Sequence, residues 1–299
     1  MTTETVGVEP ATKKAGTTGV QARGGWRSLT FRASTAVSAA WLGLLALAGL
    51  AFPLLPLPDP ARSDYGAIGA APGYAGHLLG TDTIGRDMLS RLIIGGRVSL
   101  TVGIGGVALA VLIGSLLGLL AGFHGGVLSR VINALMDILL AFPSLVALIA
   151  LSVFIGTGLK MIIIGIGLIT APQVARVTRA ATLSFTQREF VTAARGMGAG
   201  GTRILIREIV PNVVGPVIAF ATVLVAVAIV AEGSLSFLGL GVPPPASSWG
   251  TMMADGRSEF ENNPHIALLP AAAMFVTLLA LYFLAEALNR RFDVKEAAL

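Results

Sequence analysis

The chain has no cysteine and only three histidines. The first absence excludes disulfides, thiolate metal sites and cysteine nucleophiles. The second leaves little material for an imidazole centre, and His77, His124 and His265 all fall in loops or at helix ends. Neither H-E-x-x-H nor G-x-x-x-x-G-K-[ST] occurs, so the sequence offers no metal-ligand set, no intramembrane hydrolase constellation, no catalytic residues and no P-loop for ATP. Charge is scarce as well. Only 12% of the 299 residues are charged, 54% are hydrophobic, and the mean hydropathy is +0.81. A soluble domain with a polar surface does not have this composition, which is that of an integral membrane protein.

Six apolar runs fill the chain, at about 34–56, 98–123, 131–156, 159–178, 212–240 and 264–286. Each is long enough to cross a ~30 Å hydrocarbon core as a helix. The expected fold class is all-α, a polytopic membrane protein of six transmembrane helices. The fourth run is short, with fifteen uncharged residues between Lys160 and Arg176, so those two side chains must snorkel or lie at the interfaces. Lys13, Lys14, Arg23, Arg27 and Arg32 precede the first run, as in a signal peptide, but the charge-free stretch from Ala33 to Pro58 exceeds an h-region of roughly 7–15 residues. It is therefore read as a retained span. The organisation expected is a mostly disordered tail over 1–33, a membrane domain over 34–295 and a short tail over 296–299.

The net charge of +5 and pI near 10.1 are explained by orientation. Placing the N-terminus in the cytoplasm puts five Lys/Arg in the tail, Arg130 after the second span, six between 176 and 207, and three after 286 on that side. Those are fifteen of the twenty-one basic residues, which favours cytoplasmic N- and C-termini and needs no nucleic-acid partner. The external segments are then about 59–97 and 241–263. Two acidic residues fall at membrane depth, Asp137 and Glu232. Each is a candidate for the transport path, and each has a plainer reading as interhelical hydrogen bonding or interface solvation.

The stretch EFVTAARGMGAGGTRILIREIVPN, 189–212, concentrates charge and glycine in this apolar chain. Phe190, Ala193, Ala194 and Met197 are spaced to form the apolar face of a short helix. Gly198, Gly200 and Gly201 supply the stop, because glycine tolerates the positive φ of a helix C-terminus. A second amphipathic turn is expected to start at Thr202 as N-cap, with Ile204, Leu205 and Ile209 apolar, and to end at Pro211. The pattern alone also suits a helix lying on the lipid surface. Gly196, Gly198 and Gly201 match G-x-G-x-x-G only by accident, since no strand precedes them.

A small pair, a glycine four positions after its second alanine, and a proline-terminated apolar end resemble the cytoplasmic EAA loop of ABC importer permeases. In that family the loop forms a coupling helix that docks on the ATPase subunit. Carried over by position, Thr192, Ala193 and Ala194 match the Glu-Ala-Ala triplet, Gly198 the family glycine, and Val210 with Pro211 the closing Leu-Pro. Thr192 stands in place of the glutamate and Glu208 in place of an isoleucine, and Glu189 is the residue available to supply the missing charge. The stretches LLGTDTIGRDMLSRLIIGGRVSL (78–100), MDILLAFPSLVALIALS (136–152) and SLSFLGLGVPPPASSWGTMM (234–253) extend the resemblance to the second, C-type permease of the dipeptide/oligopeptide/nickel branch. The resemblance implies a type I importer permease fold with a coupling loop at about 188–211. It also implies a second homologous permease, two ABC ATPases that carry ATP and Mg, an extracytoplasmic binding protein and a bacterial inner membrane. No cofactor is expected in this chain, and the cargo class is small peptides, nickel, glutathione or related molecules.

Three further features bear on function. Ala110, Gly114, Gly118 and Gly122 present a smooth stripe every four residues, suited to close packing within the subunit or against a partner permease. Pro143, Pro172, Pro216 and Pro270 each remove a backbone donor inside or at the end of a span, as a cavity-lining helix tolerates. Asp82, Arg86, Asp87 and Arg91 alternate in sign at helical spacing, which suits either a surface helix or a docking face for a binding protein. The competing class, a self-sufficient ion-coupled transporter or channel, would want several intramembrane carboxylates or histidines, and only Asp137 and Glu232 qualify.

Overall fold

The computed structural model describes residues 23–74 and 76–296, with side chains from 33 to 292. The elements are α1 Arg23–Leu50, α2 Met88–His124, α3 Gly126–Ala141, α4 Ser144–Ile155, α5 Leu159–Thr186, α6 Glu189–Gly196, α7 Gly201–Ile204, a π-helical turn Leu205–Ile209, α8 Val210–Phe237, α9 Trp249–Asp255 and α10 His265–Glu296. Among the described residues there is no strand, only three isolated bridges around residues 63–87. Five helices are long and apolar enough to cross a membrane, or six if α3 and α4 together form one span. The architecture is that of an all-α polytopic membrane protein.

The boundaries follow local chemistry. No proline interrupts the chain between Pro10 and Pro53, and α1 extends back from its apolar run to Arg23, into the stretch expected to be a tail; residues 1–22 lie outside the described residues. At its other end α1 stops at Leu50 rather than near 56, ahead of Pro53, Pro56 and Pro58. The second helix begins at Met88 rather than near 98, because Asp87 caps it by accepting from the Ser90 N–H at 2.8 Å. Residues 81–87 are consequently a turn-rich loop, and the helical surface segment expected there is not formed.

The run at 131–156 is a broken pair and not one helix. Phe142 is extended and Pro143 lacks an N–H, so α3 and α4 meet at 89°. After α4, Gly156 and Gly158 take φ of +93° and +135° and reverse the chain into α5.

The glycine stripe of α2 packs within the subunit, against α5. A Cβ on Gly114 would lie 2.5 Å from the Ala171 carbonyl, one on Gly118 2.5 Å from the Ala175 carbonyl, and one on Gly122 2.7 Å from Thr182 Cβ. The two backbones thus approach as closely as small residues permit. This contact also explains why α5 runs on to Thr186, well past the expected end near 178: Thr178 and Thr182 are buried there.

Two larger apolar cores organise the bundle, beside a small one of Ala121, Ile132, Met136 and Ala175. One follows α2, α5 and α8 and continues into the segment after α5 through Phe185, Val191, Ala194, Ile204 and Ile209. The other joins α1, α2, α8, α9 and α10 around Leu45, Met88, Ile229, Trp249 and Ile266. The 189–211 segment sits at one end, where a Cβ on Gly201 would touch the Phe123 ring at 3.5 Å. The start of α2, the α8–α9 loop and α9 sit at the other.

Candidate coupling and transport sites

The helix α6 ends as the glycines dictate. Gly198 takes φ +79°, the Gly198 N–H donates to the Arg195 carbonyl at 3.0 Å, and the Ala199 N–H donates to the Ala194 carbonyl at 3.0 Å. This is a Schellman stop. Gly200, not Thr202, caps the following turn. Val191, Ala194, Ile204 and Ile209 are buried and tie the knob into the α2–α5–α8 core. Of the anticipated apolar face, Ala194 and part of Phe190 turn inward, whereas Ala193 is exposed and Met197 is 82% exposed. The buried stripe is Val191–Ala194, one flank round from the expected one, because that flank meets Phe185 and Ile204.

Glu189 lies in the first turn of α6, where its charge complements the helix dipole, and Thr192 is exposed beside Ala193. Pro211 does not end the segment. It occupies the first turn of α8, directly after the π-turn in which the Val210 N–H reaches back to the Leu205 carbonyl. The wider turn accommodates a residue with no N–H to donate, and chain 201–237 is continuous helix. Arg195, Arg203 and Arg207 are exposed and make no ion pair among the described residues. The knob thus presents small residues, Met197, Ile206, Glu189 and three arginines on a mount built into the core.

The two acidic residues at depth part company. Asp137 on α3 is exposed and pairs with Arg176 Nη2 on α5 at 2.6 Å. Glu232 on α8 is fully buried and accepts from Ser99 Oγ of α2 at 3.0 Å and from Ser236 Oγ at 2.6 Å. Ser236 in turn meets Ser248 Oγ at 3.3 Å, and the Trp249 N–H approaches Ser99 Oγ at 3.4 Å. Glu232 therefore sits at the centre of a hydroxyl network that joins α2, α8 and α9.

At the end opposite the knob, Asp82 is buried and accepts from Arg86 Nε at 2.6 Å and from Arg91 Nη1. Asp255 Oδ2, at the end of α9, accepts from Arg86 Nη2 at 3.3 Å and Arg91 Nη2 at 3.1 Å. Burial pushes the Asp255 carboxyl above its ordinary 3.8, Arg86 partly offsets that, and Asp82 adds to it. His77 Nδ1 lies 2.9 Å from Asp87, the cap of α2. The opposite-sign pairing expected of Asp82, Arg86 and Arg91 exists, but as a buried tertiary network. Asp255 was not foreseen, since nothing local in the sequence links it to residues 82–91.

Comparison with known proteins defines the family and the fold. The family described as "Binding-protein-dependent transport system inner membrane component" matches over residues 114–295. The oligopeptide transport system permease protein OppC of Salmonella typhimurium is 41% identical over 256 residues, covering 85% of each chain. A putative peptide permease of Brucella suis is 38% identical over 283 residues, covering 92% of this chain and 91% of the relative. The glutathione transport system permease protein GsiD of Pectobacterium atrosepticum is 37% identical, covering 84% and 83%. Among solved structures, a chain of the inward-facing MetNI methionine ABC transporter superposes with TM-score 0.56 at 19% identity, covering 69% of this chain and 97% of that one. A chain of an amino acid ABC transporter crystallised with histidines superposes with TM-score 0.54 at 18% identity, covering 68% and 94%. The likeness to those two is one of fold. The chain belongs to the binding-protein-dependent transport system inner membrane components and is a multi-pass permease subunit of an ABC importer.

Proposed function

We propose that this permease imports small peptides or related cargo that an extracytoplasmic binding protein delivers, and that it forms the translocation path together with a second homologous permease. The transport relatives named for oligopeptides and glutathione support this cargo class. One of two ABC ATPases docks on the 189–211 knob, and the ATPases supply the ATP and Mg, so no cofactor is held by this chain and it performs no catalysis itself. Both termini face the cytoplasm of a bacterial cell whose inner membrane the chain spans. The placement of fifteen of twenty-one basic residues on that side supports this orientation.

The observation that carries the reading is the construction of the knob. Its outer side, with Glu189, Thr192, Ala193, Met197 and Gly198, is exposed, apart from Ala194 beneath, while its inner side is built into the core along α2, α5 and α8. A body docked there moves the knob and, through Val191, Ile204 and Ile209, the helices with it. The continuous helix through Pro211 provides the lever, and rocking of such packed helices is how alternating access is commonly achieved. Asp137, with its Arg176 partner, remains the candidate for the path, whereas the burial of Glu232 supports a role in holding α2, α8 and α9 together.

Reconstitution in proteoliposomes tests this. The permease pair with both ATPases and the binding protein should take up labelled tripeptide only with ATP and only when all components are present. Uptake by this chain alone, driven by an ion gradient, would contradict it.

A further inference from the structure

Asp82 and Asp255 serve the same two guanidinium groups, but on different terms. Asp82 is 1% exposed, and all its acceptor capacity is committed: Oδ1 takes the Ile84 and Arg86 N–H groups at 3.0 and 2.8 Å, and Oδ2 takes Arg86 and Arg91. It neutralises one of the two cationic charges permanently. The second charge is met by Asp255 alone, at 3.1 and 3.3 Å, longer than the roughly 2.7–2.9 Å of a strong charge-assisted bond. Its side chain is 38% exposed, and its Oδ1 accepts no hydrogen bond among the described residues. Arg91, 2% exposed, keeps a buried Nε with no partner. Beside this loose half lies a cavity of about 480 Å³, lined by Arg86, Arg91, Asp255, Ser236 and Thr251 among others. That volume is of the size that holds a small molecule.

We infer that the Arg86–Arg91 pair is a carboxylate-binding site at the end of the permease opposite the knob, with Asp255 as its resident occupant and the carboxylate of the cargo as its exchange partner. The geometry is that of two guanidinium groups converging on a single carboxylate oxygen, with one of their charges already met by a fixed counter-ion, so one further carboxylate restores neutrality. Asp255 keeps the two arginines from being left uncompensated when no cargo is present. An incoming carboxylate takes its place over the guanidinium groups and fills the adjoining cavity, and Asp255 turns toward solvent. The inference rests on the importer reading for its cargo, and it narrows that cargo to molecules carrying a free carboxylate, such as a peptide with an unblocked C-terminus.

The test uses the assembled importer in nanodiscs without binding protein, with trialanine and its C-terminal amide as probes. Asp255→Asn removes the internal competitor and should strengthen trialanine binding by roughly tenfold while leaving the amide unchanged. Asp255→Ala, which offers no amide in exchange, should give the same gain, and adding Arg86→Gln to either should abolish it. No gain in either variant, or an equal gain for the amide, would overturn the inference. ATP-driven uptake measured on the same preparations separates the two claims. Uptake without carboxylate selection sinks the site and spares the importer reading. Carboxylate selection without ATP-driven uptake does the reverse.

Discussion

Glu232 on α8 accepts a hydrogen bond from Ser99 on α2 at 3.0 Å, across 133 residues of sequence and at zero exposure. With Ser236 and Ser248 in the same network, this one carboxylate joins the helix that leads from the knob to the loop and short helix at the far end. A carboxylate so enclosed ties α2, α8 and α9 to one another.

Replacing Glu232 by leucine should leave Ser99 and Ser236 without their shared acceptor and lower stability by about 1–3 kcal/mol, the usual cost of stranding buried polar groups. Glu232→Gln keeps an acceptor oxygen and should cost distinctly less. Thermal unfolding in detergent ranks the two, and equal losses would mean that the network contributes nothing.

The α2–α5 contact predicts a sharp contrast between glycines on one helix. Gly118→Ala places a methyl 2.5 Å from the Ala175 carbonyl and should destabilise by about 1–3 kcal/mol through overpacking. Gly105→Ala meets only the Ile163 side chain at 3.5 Å and should be neutral or stabilising by up to about 1 kcal/mol from helix propensity. Unfolding midpoints of the two variants check this.

The pH dependence around Asp255 has a definite sign. Its folded carboxyl titrates above the ordinary 3.8, from burial first and from Asp82, with Arg86 in partial opposition and Arg91 also facing it. The folded state therefore holds this proton more tightly than the unfolded one, and the associated stability is full below 3.8 and lost as pH rises through the raised value. Asp255→Asn lacks that contribution. The stability of wild type relative to the variant should fall as pH increases from about 3.8, and a rise would contradict the burial argument.

The spans and the glycine stop at Gly198 are legible in the sequence because both are local: an apolar run of sufficient length, and a residue that tolerates positive φ. What is not legible depends on tertiary partners. The α3–α4 run reads as one span, since Pro143 announces a break but not an 89° turn. Arg91 and Arg97 set the apolar run of the second helix to start only after 97, whereas in the fold Arg91 is met by Asp82 and Asp255 and Arg97 by the Gly49 carbonyl. The inward face of α6 differs from the expected one because Val191 and Met197 are both apolar, and only Phe185 and Ile204 decide which of them is buried. Asp137 and Glu232 look alike in sequence, yet one is exposed beside Arg176 and the other is enclosed by serines.

Docking of an ATPase on the exposed side of the 189–211 knob requires that a charge placed on that side weaken it. The most direct measurement is co-purification of the ATPase with wild type and with Met197→Glu, an exposed side chain whose replacement touches no core. The variant should keep its unfolding midpoint and lose most of the bound ATPase. Full retention of the ATPase by the folded variant would contradict it.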